Sequence, residues 1–166
     1  MQQLIISFLS VDRPGLVDQL SQVIQRYQGN WQVSSMHHLS GHFAGVIEVA
    51  VDMAQLGPLQ QALTELAGFD FQFAVAEQVV NEPRAKLVLE IMANDRAGIV
   101  QDITSVIHKQ GGNLAKLVSN QDIAAHTGQV IFKAKATVLV EPSTQALLID
   151  ALETLADDLM VDIVKS

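Results

Sequence analysis

Apolar residues run almost unbroken through Leu4-Ile5-Ile6-Ser7-Phe8-Leu9, which predicts a strand placed centrally in a sheet or covered on its second face by a partner sheet. Leu16/Val17, Leu20, Val23/Ile24 and Tyr27 then recur at three- and four-residue spacing and predict an amphipathic helix. Pro14 suits the first turn of that helix, where its missing N–H costs nothing, and Gly29 suits the C-terminal end. Two strands follow, broken near Ser40-Gly41. The second alternates, with Ile47, Val49 and Val51 on one face and Glu48 and Asp52 on the other. A second helix opens at Gly57-Pro58 and buries Leu59, Leu63 and Leu66. A last strand sets Phe69, Phe71, Phe73 and Val75 against Asp70 and Gln72.

The same succession then returns, over Leu87–Ala93, Gly98–Gln110, Asn113–Asp122, Gln129–Val138, Ser143–Ala156 (with Ser143 as N-cap) and Met160–Val164. An offset of 83 lays Asp12-Arg13-Pro14-Gly15-Leu16-Val17 on Asp95-Arg96-Ala97-Gly98-Ile99-Val100. It also lays Leu4 on Leu87, Val23-Ile24 on Val106-Ile107, Gly29-Asn30 on Gly112-Asn113, and Gly45 on Gly128. Because 83 is half of 166, the repeat accounts for the whole chain. The order β-α-β-β-α-β, twice, with strands apolar on one face, predicts an α+β protein. Its architecture is two tandem ferredoxin-like domains, each an antiparallel sheet with helices on one face. The polar Asn81-Glu82-Pro83 sits in the junction between Gln78 and Arg84. It divides the chain into a first domain over 1–80, a linker over 81–85 and a second domain over 86–166.

Composition narrows the function. With 49% hydrophobic and 17% charged residues the chain can fill two small cores, which excludes disorder. It has no cysteine, so thiolate nucleophiles, disulfides and Cys-type metal sites are excluded. A net charge of −8 opposes binding by phosphate neutralisation and predicts no direct contact with nucleic acid. No apolar run approaches the roughly 18 residues of a membrane span. The start, Met1 to Ser10, has no basic segment, so the expectation is a cytoplasmic protein without a membrane role. The charge is uneven: residues 1–83 carry two basic and eight acidic groups, residues 84–166 eight and ten. Lys133 and Lys135 share a strand face opposite Val130, Phe132 and Ala134, read either as a solvated outer face or as a protein docking surface. The asymmetry suggests the first copy as the better ligand site and the second as the better partner surface.

A strand, then Asp-Arg-Pro-Gly, an amphipathic helix, Gly-Asn and a further strand resembles the ACT domain, a small amino-acid-sensing module, and both copies carry the pattern in register. The resemblance implies a ligand beside the loop between first strand and first helix, at an interface between two ACT domains. Carried over by position, it marks Asp12, Arg13, Pro14, Gly15 and Asn30 in the first copy, and Asp95, Arg96, Gly98 and Asn113 in the second. Ala97 departs from the family proline and leaves the second loop less rigid. The chemistry is coherent without the family. Helix N-terminal N–H groups attract the carboxylate of a free amino acid, an aspartate accepts from its ammonium, and an asparagine from the next strand can serve either end. Read structurally, Asp12 caps the helix, Gly15 eases packing and Gly29-Asn30 ends the helix. Arg13 and Arg96 read more simply as solvated or paired with nearby carboxylates.

His37, His38 and His42 bracket the Ser40-Gly41 turn, where His38 and His42 could face each other. Without a carboxylate partner they make a weak metal site, and no metal or cofactor is expected. No nucleophile elbow, phosphate loop or dinucleotide fingerprint occurs, and both repeats together leave no residues over for a catalytic domain, so no enzyme is expected. A free-standing pair is similar to the branch of the ACT family that represses the glycine cleavage system, and Asn113-Leu114-Ala115-Lys116-Leu117-Val118-Ser119 is similar to that branch's second copy. This resemblance implies a repressor that contacts a LysR-type transcription activator and is modulated by glycine. The alternatives are an ACT sensor for another amino-acid pathway or enzyme, and a regulatory half similar to the N-terminus of formyltetrahydrofolate deformylase. Open sheet edges further imply a homodimer.

Overall fold

The structure, a computed structural model, describes residues 1–76 and 84–164. The chain forms two compact units, Met1–Val80 and Asn81–Ser166. Of the linker assigned to 81–85, residues 81–83 lie outside the described residues and Ala85 already opens a strand.

The first unit runs β1 (Gln2–Val11), α1 (Leu16–Arg26), β2 (Asn30–Leu39), β3 (His42–Val51), α2 (Met53–Thr64) and β4 (Phe69–Val75). Its sheet order is β2-β3-β1-β4, with β1 antiparallel to both β3 and β4. That central position explains the unbroken apolar run: Leu4, Ile6 and Phe8 are buried under the helices, while Ile5 and Ser7 are half-buried on the other face. Leu16, Leu20, Val23 and Ile24 of α1 and Leu59 and Leu63 of α2 close the core. Phe69, Phe71 and Phe73 form a ladder of stacked rings along β4, with Phe8 edge-on to Phe69.

The second unit repeats this as β5 (Ala85–Asn94), α3 (Ile99–Lys109), β6 (Asn113–Ile123), β7 (Val130–Val140), a 3₁₀ turn (Pro142–Thr144), α4 (Gln145–Glu153) and β8 (Met160–Ile163), in sheet order β6-β7-β5-β8. Leu89, Ile91, Ile103, Ile107, Leu148 and Leu152 anchor its core. The expected α+β architecture, with one helical layer on each antiparallel sheet, is what forms.

Several local expectations change. The offset of 83 holds only through β6. His42 lies across from Val11 and Ile131 across from Asn94, so β7 follows β3 at an offset of 89. The second hairpin carries the extra residues, in a turn over 124–129 where the first unit has only Ser40-Gly41. Gly45 therefore corresponds to Ala134, not to Gly128, which lies in that turn at φ 67°. Gly29 is not the left-handed residue ending α1; Gln28 is, at φ 57°, as Gly111 is in the second unit at φ 74°. Gly29 is required by packing instead, since a Cβ there would sit 2.8 Å from Val49 and 2.9 Å from Ile24, and Gly112 meets Val138 and Ile107 at 3.0 Å each. α2 opens at Met53, so Pro58 falls in its second turn, where the Ala54 carbonyl loses an intrahelical donor. Pro14 precedes α1 rather than entering it. Ser143 lies inside the 3₁₀ turn, which displaces the N-cap of α4 to Thr144.

Candidate functional site

The loops Asp12–Gly15 and Asp95–Gly98 each join a central strand to the first helix of a unit. Each is tied down at its start. The Asp12 N–H donates to the Gly41 carbonyl, and the Asp95 N–H to the Val130 carbonyl, both at 2.9 Å. Each ends on a left-handed glycine, Gly15 at φ 87°, ψ 5° and Gly98 at φ 84°, ψ 0°. No atom lies within 4 Å of the place a Cβ would occupy at either glycine, so backbone conformation demands glycine there, and the space above it is open. The two loops match despite Ala97 standing where the first has Pro14; the glycine and the strand-end hydrogen bond set the geometry.

Neither helix receives a side-chain cap, so the capping role considered for Asp12 is not the one it plays. The Asp12 carboxylate instead faces β2, with His38 Nε2 3.6 Å from its Oδ2. In the second unit Gln121 Nε2 donates to Asp95 Oδ2 at 2.6 Å. His38 and Gln121 are equivalent positions, so in each unit one polar residue of the edge strand addresses the loop carboxylate. Sequence reading missed these partners, because histidine and glutamine share no motif; only the offset of 83 relates them. A cleft of about 470 Å³ opens at the second loop, lined by Asp95, Gly98, Ser119, Asn120, Gln121 and Phe132 among others.

Both arginines make surface contacts within their own units, and Arg96 also lines the cleft at the second loop. Arg13 donates to Gln19 Oε1 at 2.9 Å and lies 6.0 Å from the Phe69 ring, while Arg96 pairs with Asp102 at 2.5 Å. Asn30 and Asn113 are not brought to the loops at all. α1 carries the chain back toward the start of β1, so Asn30 pairs with Ala50, which pairs with Gln3. Asp12 lies beyond the other end of β1, roughly 30 Å away at about 3.3 Å per strand residue. Asn113 relates to Asp95 in the same way, through Leu139 and Lys86. The expectation that one asparagine and one aspartate of a single unit share a ligand is thereby corrected.

The histidines do not face each other either. His38 pairs with Phe43 and His42 with Leu39, which places the two imidazoles on opposite faces of the sheet. Among the described residues no group of three or more His, Asp or Glu side chains converges as a metal site would require.

One carboxylate beside the second loop is clearly perturbed. Asp122 is held below the ordinary carboxylate range, first by the Lys133 ammonium donating to it at 2.6 Å and then by the Ile123 N–H. A depressed folded-state value means that the pair stabilises the fold above the carboxyl's unfolded-state value and ceases to as pH falls through the folded one. Titration of the Asp122 carboxyl by NMR should show this low value, and Lys133→Met should return it toward the ordinary range. An unchanged titration in that variant would remove Lys133 as the cause.

The ACT domain family model matches residues 2–74, nearly all of the first unit. The second unit repeats its element order and sheet order, strand for strand. The first unit is an ACT domain. Among solved structures, the chain resembles an unknown protein from Galdieria sulphuraria, 26% identical, with a TM-score of 0.82 over 99% of each chain. It also shares its fold with a protein provisionally described as a glycine cleavage system transcriptional repressor, 14% identical, with a TM-score of 0.73 over 99% of this chain and 98% of that one. No curated protein matches the sequence. Among the described residues no helix is long and apolar enough to cross a membrane.

Proposed function

We propose that this tandem ACT protein is a non-enzymatic, amino-acid-responsive regulator that represses the glycine cleavage system by contact with a LysR-type transcription activator, with glycine modulating the complex. The observation carrying this reading is the loop built twice: a left-handed glycine with open space above it, an uncapped helix N-terminus, and a carboxylate held at its side by an edge-strand residue. Those groups suit the two ends of a zwitterion. Helix N–H groups favour the carboxylate, and Asp12 or Asp95 accepts from the ammonium. Glycine presents nothing beyond those two ends. The net charge of −8 favours action through a protein partner rather than on DNA. Likeness of fold over the whole chain to a protein provisionally described as such a repressor supports the same reading.

Asn30 and Asn113 enter this site only from a second ACT unit. β2 is an edge strand, and antiparallel pairing of two β2 strands across a two-fold axis, as in a homodimer, would carry Asn30 of one chain to the Asp12 loop of the other. A sensor of a larger amino acid is the competing reading, favoured by a cleft at the second loop roomier than glycine requires.

Thermal unfolding against single amino acids tests the proposal. A ligand at a hundred times its dissociation constant should stabilise by about 2.7 kcal/mol. Glycine is expected to raise the melting temperature, and Asp12→Ala combined with Asp95→Ala to abolish the rise. Co-purification of the activator with and without glycine tests the partner. A response to no amino acid would sink the sensor, and failure to capture the activator in either condition would sink the repressor.

A further inference from the structure

The face of the second sheet turned away from its helices carries a charge pattern that the ligand loops do not use. Strand register places its outward residues in rows. Val118, Lys135, Glu90 and Asp162 form one row across β6, β7, β5 and β8; Asn120, Lys133, Met92 and Met160 form the next. A shallow groove of about 350 Å³ runs over these rows. The apolar side chains on it are unusually open, with Met160 58%, Val118 42% and Met92 38% exposed. Within these two rows the lysines stand on β7 and the carboxylates on β5 and β8, while Asp122 on β6 and Lys86 on β5 flank them on the same face. Glu90 and Asp162 stand directly across from each other, a like-charge pair that costs stability in an isolated sheet. Among the described residues Lys135, Glu90 and Asp162 make no ion pair, whereas Lys133 is engaged by Asp122.

We infer that this face docks the same face of a second copy of the chain. A two-fold axis running along the strands between β7 and β5 reverses the strand order while keeping each row level. It lays β7 of one copy over β5 of the other, so that Lys135 of each copy meets Glu90 of its partner. Lys133 then lies over Met92, and Asn120 over Met160. Sheets packed face to face with strands nearly aligned are a common arrangement, and the contact is self-complementary, as an isologous interface must be. The perpendicular in-plane axis would set β7 on β7 and lysine over lysine, which the charges disfavour. The groove borders the cleft at the second loop through Ser119 and Asn120, but Lys135, Glu90 and Asp162 line only the groove. Charge exchange at Lys135 and Glu90 therefore tests docking without altering a residue of the proposed ligand loops.

Charge exchange on the full chain tests it, read by sedimentation at several protein concentrations. Lys135→Glu and Glu90→Lys, each alone, place like charges opposite each other twice per interface and should weaken this association more than about tenfold. Equal mixing of the two variants creates only attractive pairs and should restore the wild-type mass, as should both substitutions in one chain. Circular dichroism of each variant distinguishes loss of association from loss of fold. Wild-type chain that shows no association through this face, or folded single variants with wild-type association, would overturn the inference. So would a mixture that fails to recover.

Discussion

Gly15→Val and Gly98→Val introduced together should abolish the melting-temperature response to amino acids while leaving both units folded. Each glycine sits in the left-handed region, which costs an L-residue roughly 1–2 kcal/mol and is least tolerable for a β-branched side chain. The new side chain would meet no protein atom within 4 Å of its Cβ. It would instead fill the open space over the helix start that the proposed ligand needs. Gly57→Ala provides the control: this glycine lies in α2, without positive φ and with equally open surroundings, so alanine there should stabilise by roughly 0.5–1 kcal/mol. Persistence of the full amino-acid response in the loop double variant would show that binding occurs elsewhere.

Ile6→Ala should destabilise the first unit by about 3–4 kcal/mol, within the range for large-to-small core changes. Ile6 is fully buried in the central strand, between Ile47 on β3 and Phe73 on β4, and no opening lets solvent replace the missing methyl groups. Ser7→Ala, one residue along on the open face, should change stability by less than about 0.5 kcal/mol. Urea unfolding monitored by Trp31, the protein's one tryptophan, reports on the first unit specifically. Equal midpoints for the two variants would contradict the assignment of faces in β1.

The layered fold was legible because burial imposes periodicity: two for β3, three to four for α1, and an unbroken run where β1 is flanked on both sides. Proline and glycine were harder to read. Pro58 looked like a helix start because proline usually is one, yet packing of Leu59 and Leu63 carries the helix past it. Gly29 looked like a conformational residue and proved a steric one. The glycine loops were visible in the sequence through the repeat, but their polar partners His38 and Gln121 were not, because contact across strands depends on register. Register also separated Asn30 from Asp12, a distance that linear spacing hides.

The unequal hairpins offer a practical handle on the two loops. Ser40 and Gly41, at φ 48° and 81°, make a tight two-residue turn in which each residue has a backbone role. The longer turn over 124–129 includes the exposed His126 and closes on the strand end that supports Asp95. Since the chain has no cysteine, His126→Cys would create a unique attachment point for a dye. A probe there would sit beside the second loop, so that occupancy of the second of the two proposed sites could be followed in the intact protein.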